Sequence, residues 1–156
     1  MIIDAHTHCY ANEVISDPEC FAKKHKELHW LELVSPNDKK CLQGWVSEDQ
    51  MIEDMEEDGV DKTVLLGWYW ENPETCIMQN DWCANWLSQN PDKFIGFVSL
   101  HPNLKNPIEE LKKRQDQGFM GMGECHPWLQ GSSPMEDNWM ECMQFASDRS
   151  WPVTYH

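Results

Sequence analysis

Short apolar runs alternate with amphipathic stretches along this chain, and the two periodicities distinguish strands from helices. Met1-Ile2-Ile3 leads into Asp4-Ala5-His6-Thr7-His8, and Val60 to Gly67 forms a second run around Val64-Leu65-Leu66. Phe94 to Leu100 is apolar almost throughout, as expected of a strand buried on both faces of a parallel sheet. Phe119-Met120-Gly121-Met122-Gly123 reads as a glycine-rich fourth strand, and Pro152 to His156 as a fifth. The segments between them carry helix signals. Ser47 and Gln50 have capping-box spacing, Met51 and Met55 share a face, and Gly59 marks the end. Asn72-Pro73-Glu74 opens a helix in which Met78, Trp82 and Trp86 recur every four residues until Asn90-Pro91. Asn106-Pro107-Ile108-Glu109 and Ser133-Pro134-Met135-Glu136 repeat that start, with Gly118 closing the first helix and Trp139, Met143 and Ala146 lining the second. Strands that alternate with single helices predict βαβ units, a parallel sheet with its helices outside. Residues 9–45 break the rhythm and read as a partly helical insertion over the carboxyl ends of the strands, including Pro18, Pro36 and a charged run from Lys23 to Glu27.

Composition narrows the classes of function. The 156 residues are the size of one domain, and nine tryptophans can support a core. Twelve basic against 27 acidic residues give a net charge of −15, which repels phosphate backbones and anionic membranes. Nucleic acid and membrane partners are therefore not expected. Seven cysteines include no C-x-x-C pair, so neither a disulfide framework nor a zinc knuckle is indicated. No basic leader and no apolar window of roughly 20 residues is present, which gives a cytoplasmic expectation.

Candidate chemistry begins with His6 and His8. Two residues apart on a strand, they share a face about 6 to 7 Å apart along the backbone, which suits two imidazoles on one metal ion. Seven histidines in this length give on the order of 0.3 such pairs by chance, so the pair alone proves little. More telling is that polar residues end every expected strand: His6 and His8, then Trp68 to Glu71, His101, Glu124 with His126, and His156. In a barrel of βα units that end carries the active site. Blander roles compete for several of them. His101 and His126 suit satisfied or surface histidines, His25 and His29 a solvated helix face, and Cys9 a small buried thiol. Trp68, Tyr69 and Trp70 suit either a substrate wall or the core, and Trp68, Trp70 and His126 are the substrate-side candidates.

Asp4-Ala5-His6-Thr7-His8, Gly121-Met122-Gly123-Glu124 and Pro152-Val153-Thr154-Tyr155-His156 together resemble the amidohydrolase superfamily. Phe94 to Pro102 is similar to the third-strand pattern of its amidohydrolase-related branch. The resemblance spans nearly the whole chain and implies an α/β fold of the (β/α)8 TIM-barrel type, with about the first five βα units present. It implies that His6, His8 and His156 bind a divalent metal, zinc first, with manganese or iron as alternatives. In some of its subgroups the glutamate at the position of Glu124 also ligates or bridges metals. The implied activity is cleavage of an amide, ester or lactone bond in a small molecule. A decarboxylase or hydratase on the same scaffold is the alternative, and an inactive fragment is the third reading. The family's catalytic aspartate follows an eighth strand and has no counterpart here, so the expectation is a truncated gene or copies that cover each other's open barrel edge.

Overall fold

The five apolar runs become five strands in a computed structural model, which describes residues 1–35 and 44–156. Pro36 and Cys41 lie outside the described residues. The strands are β1 (Ile3–His8), β2 (Lys62–Leu66), β3 (Phe94–Val98), β4 (Gly121–Cys125) and β5 (Val153–Tyr155). They form one sheet in the order β1-β2-β3-β4-β5, every neighbouring pair parallel. Short helices α1 (Asn12–Ser16), α2 (Pro18–His25) and α3 (Leu28–Val34) follow β1, and α4 (Glu48–Asp58), α5 (Pro73–Gln89), α6 (Pro107–Asp116) and α7 (Asp137–Asp148) connect or follow the later strands.

The sheet curls rather than lying flat. In a flat sheet β2 and β4 would stand about 10 Å apart across β3. Yet just past the end of β2 the Gly67 N–H donates to the Gly123 carbonyl within β4 at 2.9 Å, and the Glu124 N–H donates to the Gly67 carbonyl at 2.6 Å. Glycine permits this approach. A Cβ on Gly67 would lie 2.3 Å from Ser99 Cβ, and one on Gly123, whose φ is +134°, would lie 2.6 Å from the Thr154 carbonyl oxygen.

Two large apolar clusters and a small one of Val64, Leu66 and Phe97 hold the described elements together. Leu65, Val98, Leu111, Met122 and Trp139 belong to the larger, which joins the sheet to the outer helices. Tyr10, Phe21, Trp30 and Trp70 belong to a second cluster, which ties the helices after β1 to the chain following β2.

Several boundaries differ from the sequence reading. The fourth strand runs over 121–125 rather than 119–123, because the Phe119 N–H is taken by the Arg114 carbonyl at the end of α6 and its ring is buried. Glu124 therefore lies within a strand and not after one. Ser133 does not cap α7. The helix starts at Asp137, and Glu136 folds back to accept from Ser132 Oγ (2.8 Å) and the Ser133 N–H (3.0 Å). Ser47 does cap α4, accepting from the Gln50 N–H, whereas the Gln50 side chain donates to Asp54 instead of closing the box. His25 and His29 fall on different helices, since Lys26 turns left-handed between α2 and α3.

Candidate metal centre

His6 and His8 leave the same face at the carboxyl end of β1, and Glu124 reaches towards them from β4. The two Nε2 atoms are 3.3 Å apart. Glu124 Oε2 lies 4.0 Å from His6 Nε2 and 3.8 Å from His8 Nε2. All three potential ligand atoms fall within 4.8 Å of one another, and among the described residues no other group of three or more His, Cys, Asp or Glu does so. Nitrogen and oxygen ligands at about 2.1 Å in a tetrahedral shell stand roughly 3.4 Å apart, so the spacing and the donor set fit a divalent ion.

The surroundings prepare these groups. His8 Nδ1 donates to the Leu66 carbonyl at 3.2 Å, which fixes the tautomer and leaves the Nε2 lone pair facing the cluster. Burial pushes the His8 pKa below its ordinary value, partly opposed by that bond to Leu66 and by Glu124, and so favours the neutral, ligating form. Trp68 meets His8 edge-on at 5.1 Å.

His156 is not a member of the trio. It meets the other oxygen of Glu124, with Nδ1 2.6 Å from Oε1, and its ring stacks on His126 at 5.4 Å. Tyr69 packs against both imidazoles at 5.2 Å and stacks on Trp68 at 4.5 Å. Burial, reinforced by the charge of Glu124, pushes the Tyr69 pKa up to about 12, so its hydroxyl stays protonated at neutral pH. Burial and the neighbouring His156 hold the His126 pKa low.

The remaining candidates separate cleanly. Trp68 sits beside the cluster. Trp70 does not: it is fully buried, and its indole N–H donates to Gln79 Oε1 at 3.1 Å, so it is core and offers no surface to a substrate. His101 is a satisfied buried histidine, its Nε2 bonded to the Glu71 carbonyl and its Nδ1 accepting from the Asn103 N–H. A cavity of about 480 Å³ lined by Tyr10, Asp49, Asp81 and Trp86 shares no residue with the His6, His8 and Glu124 group.

Sequence reasoning missed two contributors. One is the Leu66 carbonyl, which no side-chain pattern can reveal. The other is Glu27, fully buried, whose carboxylate accepts the Glu71 N–H (2.7 Å) and the Asn72 N–H (3.2 Å) and so fastens the helices after β1 to the loop after β2. In the sequence it is one more charge in a charged run.

The described architecture is a partial (β/α)8 barrel with a three-residue histidine–carboxylate cluster at the carboxyl ends of its strands. Solved structures of known proteins share that fold. The chain is similar to 5-carboxyvanillate decarboxylase from Novosphingobium aromaticivorans DSM 12444, complexed with manganese and 4-hydroxy-3-methoxy-5-nitrobenzoic acid. The two are 20% identical with a TM-score of 0.70, over 100% of this chain and 50% of that one. It is also similar to 4-oxalomesaconate hydratase from Rhodopseudomonas palustris, with 22% identity and a TM-score of 0.66 over 100% of this chain and 52% of that one. A probable 2-pyrone-4,6-dicarboxylic acid hydrolase from Acinetobacter baumannii, with citric acid bound, matches at 14% identity and a TM-score of 0.60 over 99% of this chain and 49% of that one. This chain thus spans about half the length of these solved chains. At such identities the likeness establishes the fold. No protein-family model matches the chain, and a search of the curated proteins finds no match.

Proposed function

We propose that this chain carries the metal-binding part of an amidohydrolase-type enzyme that acts on a small molecule, with His6, His8 and Glu124 holding a divalent ion. The observation that carries this reading is the convergence of three ligand atoms from β1 and β4, residues more than 110 positions apart, within 4.8 Å. Two imidazoles and a carboxylate are a zinc donor set, and manganese and iron accept the same ligands. The manganese bound in the decarboxylase structure makes that ion the second to test. An ion held there supplies Lewis acidity towards a substrate carbonyl or a water.

The residues of this chain orient and neutralise. The Leu66 carbonyl aims His8, and Glu124 supplies the negative charge that offsets the cation. His156 positions Glu124 through Nδ1, and when that nitrogen carries the proton its Nε2 keeps a lone pair able to accept one. Trp68 and Tyr69 wall the site with one apolar ring face and one protonated phenol.

Hydrolysis of an amide, ester or lactone is the leading reaction. Decarboxylation or hydration is the second reading, favoured by the likeness to a decarboxylase and a hydratase. Calorimetric titration of chelator-free protein with Zn²⁺ and Mn²⁺ tests the metal site, and absence of a one-to-one binding event for both ions in folded protein would sink it. A panel that separates carbon dioxide release, alkene hydration and acid release from esters, lactones or amides then decides the reaction.

A further inference from the structure

Cys9, the residue after His8, has its sulfur 3.0 Å from that of Cys83 on α5. Both residues are buried, at 1% and 0% exposure. It is the one sulfur–sulfur contact of hydrogen-bonding length among the described residues. Gln79, one turn before Cys83, clamps the pair. Its Nε2 donates to the Cys9 carbonyl at 2.7 Å and lies 3.5 Å and 3.7 Å from the two sulfurs, while its Oε1 accepts from Trp70. A covalent S–S bond is about 2.0 Å long, so roughly 1 Å of closure separates this dithiol from a disulfide.

We propose that Cys9 and Cys83 form a reversible two-electron redox site whose oxidant is a hydroperoxide. With hydrogen peroxide, the Cys83 sulfur attacks one oxygen, the O–O bond breaks, and the products are a sulfenic acid and one water. The Cys9 sulfur then displaces the sulfenic oxygen, which leaves as a second water as the S–S bond forms. Two thiols lose two electrons and two protons, and one peroxide is reduced to two waters. Access comes by local opening. Cys9 follows Thr7 and His8, the half-buried end of the edge strand β1, and transient opening of that edge admits a molecule as small as peroxide.

The bond would staple the carboxyl end of β1, where His8 stands, to α5 across 74 positions of chain. Its effect on a metal rests on the reading of His6, His8 and Glu124 given above. The thiol chemistry does not, and it is measured without metal.

The experiment treats the whole chain with one to a few equivalents of hydrogen peroxide, alkylates it under denaturing conditions and maps the peptides by mass spectrometry. The expected result is a Cys9–Cys83 linked peptide two hydrogens lighter, a loss of two free thiols, and full reversal by dithiothreitol. The melting temperature of the oxidised protein should rise by on the order of 10 °C, as a long closed loop predicts. Cys83→Ala should abolish the linked peptide, and if that variant does not fold the wild-type map alone decides. Cys9 and Cys83 both fully alkylated after treatment, or oxidation confined to exposed Cys20, would overturn the proposal.

Discussion

Glu124 uses both of its carboxylate oxygens, Oε2 towards His6 and His8 and Oε1 towards His156. Replacing Glu124 by glutamine removes the charge that a cation needs, and Zn²⁺ or Mn²⁺ affinity measured by calorimetry should fall by more than roughly 100-fold, beyond the effect of losing a supporting partner. His156→Ala removes only the support in this reading and should cost roughly 10- to 100-fold. A loss for His156→Ala as large as that for Glu124→Gln would make His156 a ligand. His101 gives a prediction of a different kind. Burial holds its pKa below 6.5, with the bond to Glu71 opposing, so the unfolded chain takes up a proton more readily than the folded one. Its contribution to stability is therefore complete above the unfolded pKa and is lost as pH falls from there towards the folded value. Protonation would also set an N–H of Nδ1 against the Asn103 N–H. Urea midpoints should drop between pH 7.5 and pH 5, and His101→Gln should flatten that slope.

At the scale of elements, the carboxyl ends of β2 and β4 depend on glycine. Gly67→Ala places a Cβ against Ser99 Cβ, its Cα at 2.7 Å and its nitrogen at 2.8 Å, and backbone atoms cannot swing aside. The variant should lose about 1–3 kcal/mol in equilibrium unfolding, and metal affinity should fall with it because Glu124 is bonded through its N–H to Gly67. Element identity was legible where packing and periodicity agreed. The α4 and α5 ends follow their glycine, asparagine and proline signals, and β3 is the apolar run. Boundaries slipped where a tertiary partner competed for a local signal, as when Glu136 turned back onto Ser132 and Ser133 and left α7 to begin at Asp137. His6 and His8 were readable as a pair because strand alternation is a local rule. Trp70 was not placed by it, since a tryptophan after a strand reads the same whether it faces a site or the core.

Among the described residues the sheet is paired on one side only at each edge. Met1, Ile2 and Ile3 are exposed at 89%, 59% and 41%, and Val153 and Tyr155 are exposed on β5. Unpaired strand edges flanked by apolar side chains recruit other chains. Analytical ultracentrifugation should find species larger than the 18.4 kDa monomer that grow with concentration, and Ile2→Lys should shift the balance towards monomer. No helix among the described residues is long and apolar enough to cross a membrane. The sequence by itself determined the alternation of strands and helices, the net charge of −15, and the facing pair of histidines, because each depends on composition or on neighbours within a few positions. Only the tertiary structure decided that Glu124 meets that pair, that His156 meets Glu124 instead, and that Cys9 meets Cys83. The first of those contacts depends on how tightly the sheet curls, the second on the register of β5 beside β4 and the third on how α5 packs beside β1, and each is set by packing between residues remote in the chain, which no local pattern encodes.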